Sequence, residues 1–368
     1  MRRLIVAAIT LMAGLAEVSA ATTYHIATVA EGLDHPWSLA FLPNDDMLVT
    51  ERAGRLRLIR AGEGLQAAPV EGAPEVYAEG QAGLFEVLLA PDHEESGVLF
   101  LSYACGEAKA NTTCLDRARF DGERLMDRET LFRALPDTYG ASHYGGRMLL
   151  LPDDTLLLGL GDGFDYREHA QNPANHLGSV VRLTTDGDVP EDNPFLGVER
   201  AQPELFSVGH RNVQGLAYDA ERREILLHEH GPRGGDELNR IQAGGNYGWP
   251  MVTHGVDYTG ARISPYTDLG LFESPLLHWT PSIAPSGMTL YDASLFPEWQ
   301  GDLFVATLAA RHVVRLNRVD GRIVAQEPLF AELGERIRDI RTSPDGALYL
   351  LTDSDEGRVL RVMPTEQR

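Results

Sequence analysis

The sequence predicts an all-β chain, a six-bladed β-propeller built from four-stranded antiparallel blades. Three observations lead there. Long helical periodicity is scarce, a unit of apolar strand, tight turn and second apolar strand recurs six times, and the turns carry the Pro-Asp and Asp-Gly chemistry of antiparallel hairpins. One such sheet cannot cover its own apolar faces, so the units must pack on one another, and radial packing leaves only short, protected edges. A β-sandwich or two unrelated β domains is the alternative; six units with one grammar favour the propeller.

Taken in order, Arg2 and Arg3 precede an apolar run over 4–16, and Val18-Ser19-Ala20 supplies the small residues of a cleavage site. That run is too short to cross about 30 Å of hydrocarbon as a helix. Residues 1–20 therefore read as a cleaved secretory signal, which places the mature chain, 21–368, in the periplasm or outside the cell as one propeller domain. There Cys105 and Cys114 can oxidise and close a short loop. The hairpins follow: 39–42 with 47–50, 87–90 with 98–101, 148–151 with 156–159, 216–219 with 225–227, 289–292 with 303–305, and 340–342 with 348–351. Third strands are visible at 54–58, 313–316 and 357–362.

Composition narrows the function. The 368 residues carry 32 Lys+Arg against 54 Asp+Glu, a net charge of −22. A surface this acidic repels phosphate backbones and anionic lipid, so nucleic acid and membrane are not its partners. Two cysteines make neither a zinc ribbon nor a disulfide scaffold.

In an antiparallel hairpin the residue before the first strand and the residue after the second lie on one rim. His35-Pro36-Trp37, Gly80-Gln81-Ala82-Gly83, His143-Tyr144-Gly145-Gly146-Arg147, Gly209-His210-Arg211-Asn212 and Arg336-Ile337-Arg338-Asp339 precede first strands. Glu51-Arg52, Gly161-Asp162-Gly163, His228-Glu229-His230-Gly231-Pro232 and Thr352-Asp353 follow second ones. The polar clusters thus converge on one mouth. Its arginines suit an anionic small molecule with several carboxylates. His143 and Asp162 flank one hairpin, so the carboxylate can fix the imidazole tautomer and raise its basicity, giving a general base; a structural rim hydrogen bond is the alternative. Gly231-Pro232 with Asp236-Glu237 offers carbonyls beside carboxylates, which suit Ca²⁺; a plain solvated loop is the alternative there.

With these motifs, and with Gly244-Gly245-Asn246-Tyr247-Gly248-Trp249-Pro250 between them, the chain resembles the glucose/sorbosone dehydrogenase family over essentially its whole mature length. These are soluble quinoprotein sugar dehydrogenases that use pyrroloquinoline quinone (PQQ). The resemblance implies oxidation of an aldose at C1 to the lactone, hydride passing to PQQ and the proton to His143. It implies that Asp162 holds His143, that Gln81 positions substrate and cofactor, and that Arg211 and Asn212 bind the quinone side. It assigns Arg336 and Arg338 to PQQ carboxylates, and the carbonyls of Gly231 and Pro232 to a Ca²⁺. Glu237 and Tyr247 fall to a further, structural Ca²⁺, with Asp257 a weaker candidate. One position departs: where family members commonly carry a lysine this chain has Ala309, and Arg311 is the expected substitute. Short loops imply an open mouth, broad sugar acceptance and a monomer; the electron acceptor is left unidentified. Two other readings compete, a catalytically degenerate binding propeller and a Ca²⁺-dependent propeller lactonase. A lactonase needs axial carboxylate ligands rather than paired arginines.

Overall fold

The computed structural model describes residues 22–365, so the secretory signal expected over 1–20 lies outside the described residues. The first strand, β1 (Tyr24–Leu33), does not pair with its sequence neighbour. Blade I consists of β2 (Pro36–Phe41), β3 (Met47–Glu51), β4 (Arg55–Arg60) and β5 (Gly64–Leu65). Blade II has β6 (Leu84–Leu89), β7 (Val98–Glu107), β8 (Ala110–Phe120) and β9 (Leu125–Arg133). Blade III has β10 (Gly145–Leu150), β11 (Thr155–Leu160), β12 (Ser179–Thr184) and β13 (Leu205–Val208). Blade IV has β14 (Val213–Asp219), β15 (Glu224–Glu229), β16 (Asp236–Ile241) and β17 (Leu277–Trp279). Blade V has β18 (Pro285–Leu290), β19 (Leu303–Thr307), β20 (Val313–Val319) and β21 (Arg322–Leu329). Blade VI has β22 (Ile337–Thr342), β23 (Leu348–Thr352) and β24 (Gly357–Pro364), and takes β1 as its outer strand, with Tyr24 opposite Pro364. The two ends of the described chain thereby close the ring within one sheet.

All six sheets are antiparallel, as expected for a six-bladed propeller. The first strands β2, β6, β10, β14, β18 and β22 each pack against the next, and β22 returns to β2, so they line the axis. Burial falls outward: every residue of β11 is buried, whereas β21 is mostly exposed. Apolar faces interlock between neighbours. Phe100, Leu115, Met148, Leu158 and Val181 join blades II and III, and Trp299 stacks on Phe296 at 4.1 Å beside Phe304 and Phe330. Cys105 and Cys114 form a disulfide across the β7–β8 hairpin.

One feature recurs in every blade. The mouth end of each first strand is irregular in register, between Pro36 and Ser38, Leu84 and Val87, Gly145 and Met148, Val213 and Gly215, Pro285 and Met288, and Ile337 and Asp339. Such bulges break the two-residue alternation and re-aim a side chain. The residues inside them include Trp37, Glu86, Arg147, Gln214 and Arg338, and these are the groups that fill the axis.

Candidate active site at the propeller mouth

Two arginine clusters lie on the axis, one above the other. In the lower one Arg147, 3 % exposed, has Nη1 3.1 Å from Asp339 and 3.8 Å from Glu86, while Arg341 pairs with the same two carboxylates. The Arg147 guanidinium lies 4.0 Å over the Trp37 ring. Two positive charges meet two negative ones, so the cluster is closed in charge, although Arg147 Nη1 and Asp339 Oδ1 make no hydrogen bond. Arg147, expected at the rim from its motif, is therefore an axial strut below it.

The upper cluster is not balanced. Arg336 places Nε and Nη2 on one oxygen of Asp353, at 2.9 and 2.8 Å, and Arg338 Nη2 reaches the same oxygen at 3.2 Å. Burial works against the Arg338 charge, Asp353 favours it, and Arg147, Arg336 and Arg52 repel it. Its Nε is buried with no partner. These arginines, with Arg52, Gln81, Asn212 and His230, line an axial cavity of about 150 Å³.

His143 lies next to this cavity, bonded through its main chain to Gln81 and followed by Tyr144, both of which line it. A positive φ of 60° turns it inward, and the glycines around it are obligatory: a Cβ on Gly161 would stand 2.0 Å from the His143 carbonyl, and one on Gly146 would stand 2.7 Å from the Phe85 ring. Its Nδ1 is 2.6 Å from Asp162 Oδ1, and both residues are buried. Asp162 also accepts from Phe164 N (2.8 Å) and Trp249 Nε1 (2.8 Å). Among the described residues no protein group bonds His143 Nε2. Burial and the nearby Arg211 charge lower the His143 pKa below the ordinary histidine value, and Asp162 only partly opposes them. Asp162 does favour the protonated imidazole, as expected, but burial and Arg211 outweigh it, so the imidazole is neutral with its Nε2 free to act as acceptor. Gln81 reaches this unit through its side chain, whose Oε1 accepts from His143 N at 2.9 Å.

Arg211 and Asn212 stand beside it. Glu229 takes the Arg211 main-chain N–H and bonds His210 Nδ1 at 2.8 Å, while the Arg211 guanidinium donates to the carbonyls of His230 (3.0 Å) and Gly231 and faces Trp249 and Tyr258. Asn212 Oδ1 accepts from Gly145 N at 3.1 Å. His230 bonds the Pro285 carbonyl at 2.7 Å, and burial together with the Arg211 charge keeps it neutral.

The expected cation ligands are placed as follows. Pro232 is buried and lines the groove beside Arg211, and among the described residues its carbonyl accepts no hydrogen bond. Glu237 lies opposite Glu229 across β15 and β16, and burial together with the Glu229 charge pushes its carboxyl up to about 8. The Tyr247 hydroxyl is committed to Gln242 N and Arg240 O, which leaves only its main-chain carbonyl for a cation. Asp257 is committed to Arg167 (3.0 Å) and Thr259 (2.8 Å). Among the described residues no three His, Cys, Asp or Glu side chains group as a metal site, so a Ca²⁺ at Gly231-Pro232 would rest largely on carbonyls, of which that of Gly231 already accepts from Arg211.

Arg311 is exposed on the β19–β20 turn and does not line the axial cavity; Leu308 does. The further cation at the mouth is Arg52, which the rim argument placed correctly but gave no role. Sequence reasoning also gave no role to Phe164 and Tyr258. They stack at 6.2 Å over a groove of about 460 Å³ that leads out from Arg211. A larger cavity, about 780 Å³, opens among the turns of the opposite rim beside Phe41 and Tyr349, but no comparable set of reactive groups converges there.

The chain is similar to proteins named as sugar dehydrogenases. Aldose sugar dehydrogenase YliI of Escherichia coli is 40% identical over 352 residues, covering 94% of each chain. The apo crystal structure of the soluble E. coli aldose sugar dehydrogenase matches 93% of this chain and all of its own with a TM-score of 0.90. The PQQ-bound aldose sugar dehydrogenase of Streptomyces coelicolor matches 93% of this chain and 99% of its own, at 28% identity and a TM-score of 0.74. The glucose / sorbosone dehydrogenase family profile matches residues 33–361, and the chain belongs to that family.

Proposed function

We propose that this protein is a PQQ- and Ca²⁺-dependent aldose dehydrogenase, acting in the periplasm or outside the cell, that oxidises C1 of an aldose to the lactone. The observation that carries the reading is the uncompensated arginine cluster beside a neutral, carboxylate-held histidine. PQQ is a planar tricarboxylate, and the buried, unpartnered Nε of Arg338 in an arginine-lined cavity fits such an anion. Arg336 and Arg338 would hold its carboxylates, and Arg211 and Asn212 its quinone side. The Gly231 and Pro232 carbonyls would hold a Ca²⁺, and Glu237 with the Tyr247 carbonyl a second. When bound, the quinone supplies a two-electron acceptor for the C1 hydride, with Ca²⁺ as Lewis acid.

The chain supplies the rest. His143 Nε2 takes the proton of the anomeric hydroxyl as the C1–H bond breaks and the C1–O bond becomes a carbonyl. Asp162 holds the Nδ1 proton, so the free nitrogen is the acceptor. Gln81 fixes the main chain at the base. Arg211 stabilises negative charge on the acceptor side.

The test is reconstitution with PQQ and Ca²⁺ followed by dye reduction with glucose and other aldoses. Turnover is expected; no dye reduction, together with no spectral change on adding PQQ, overturns the reading. His143→Ala should lower kcat/KM by about 10²–10⁴-fold while PQQ still binds, as seen in its absorbance. Surviving turnover would remove His143 as base.

A further inference from the structure

Asp162 is fully buried, and its two oxygens are served unequally. Oδ1 faces His143 Nδ1 and accepts from Phe164 N, at 2.6 and 2.8 Å. Among the described residues Oδ2 has a single donor, the indole Nε1 of Trp249 at 2.8 Å. That indole is held from several sides. Trp249 N donates to the Gly209 carbonyl (2.9 Å), and its own carbonyl accepts from Gln171 Nε2 (2.8 Å). Gln171 in turn pairs amide to amide with Asn246 at 3.0 and 2.9 Å. The preceding Gly248 has φ +86° and no room for a Cβ, which would stand 2.3 Å from Val252. The ring also faces the Arg211 guanidinium at 5.4 Å.

We propose that Trp249 is a positioning residue for the base: its indole N–H fixes the Asp162 carboxylate against His143 and so sets how readily the imidazole keeps a proton. The proposal rests on the reading of His143 as the base. A hydrogen bond to a carboxylate stabilises its anion. Without the indole donor, a buried carboxylate oxygen is left unpaired. The Asp162 anion then gains by drawing the imidazole proton more strongly, and the protonated form of His143 is favoured. The other charged or titratable groups around His143 are Asp165, Arg211 and His230. None of them donates to Asp162 Oδ2, so none replaces the indole.

The experiment follows the His143 ring by NMR across pH in the isotope-labelled apo protein, for the natural chain and for Trp249→Phe. The variant should bind the His143 proton about three- to tenfold more tightly. In the PQQ-loaded enzyme the acid limb of kcat/KM should move to higher pH by the same factor, an effect that loss of packing alone would not produce. An unchanged His143 titration overturns the proposal. If Trp249→Phe does not fold, the natural chain decides: the Trp249 Nε1–H resonance must shift with the midpoint of His143, and a flat response overturns the proposal equally. Failure of the dehydrogenase reading would show separately, as absent dye reduction, and leaves the NMR result standing.

Discussion

The two arginine clusters on the axis share their chemistry and do different things. The lower one is drawn from within the first strands and is largely buried, and the upper one lies at strand ends at the mouth, where Arg336 is exposed. In the lower one Arg147 and Arg341 meet Glu86 and Asp339 charge for charge. In the upper one Arg336 and Arg338 share the single carboxylate of Asp353, and Arg52, beside them in the cavity wall, adds a third positive charge. Buried charges persist where they are paired. The difference separates a strut from a proposed receptor: the balanced cluster ties blades II, III and VI together at the axis, and the open one carries a net positive charge that an anion would complete.

Breaking the closed cluster should have the largest effect. Asp339→Ala leaves two buried guanidiniums sharing Glu86 and is expected to cost about 3–5 kcal/mol of stability, measured by urea unfolding of the apo protein. A loss under about 1 kcal/mol would mean that the axis is not a strut. At the open cluster, Arg338→Gln should weaken PQQ binding by about 10–100-fold, the worth of one hydrogen bond to a charged group, while changing stability less than Asp339→Ala does. The reverse ranking would dissolve the distinction.

A smaller effect comes from two buried histidines, His143 and His228. Burial, aided by Arg211, lowers the His143 pKa, and burial with Arg147 takes His228 down to about 3. Both are neutral when folded and protonate more readily when unfolded. Stability is therefore full above the ordinary histidine pKa of about 6.5 and lost as pH falls from there toward about 3. Apo stability that stays flat from pH 7 to 4 would contradict their burial. The smallest change is expected at Arg311, exposed on its turn: Arg311→Ala should alter PQQ affinity by less than about twofold, well below the worth of a single charged hydrogen bond.

The sequence announced the hairpins because each is local: Pro-Asp and Asp-Gly turns sit between two short apolar runs, and pairing needs no distant partner. The closing strand was not legible, because β1 finds its partner β24 at the other end of the chain. The rim rule placed Gln81, His143, Asp162, Asn212, Arg336 and Arg338 correctly, since hairpin ends are fixed by the hairpins. It misjudged Arg147 and did not foresee that other effects outweigh Asp162 at His143. The first lies inside a bulge, where alternation fails, and the second depends on burial and on Arg211, a neighbour from the next blade. Arg311 was read as filling the place left by Ala309, but two residues along a tight turn point the side chain out of the mouth. Trp249 was visible as a motif letter, yet its bond to Asp162 spans 87 residues and belongs to the folded state.

The most direct test of the account is a spectral titration of PQQ into the apo protein in the presence of Ca²⁺. The open cluster predicts saturable binding of one PQQ per chain with a shifted absorbance, weakened when Ca²⁺ is chelated. An unshifted spectrum with no saturation would contradict it, and would leave the upper arginines without the anion that their imbalance calls for.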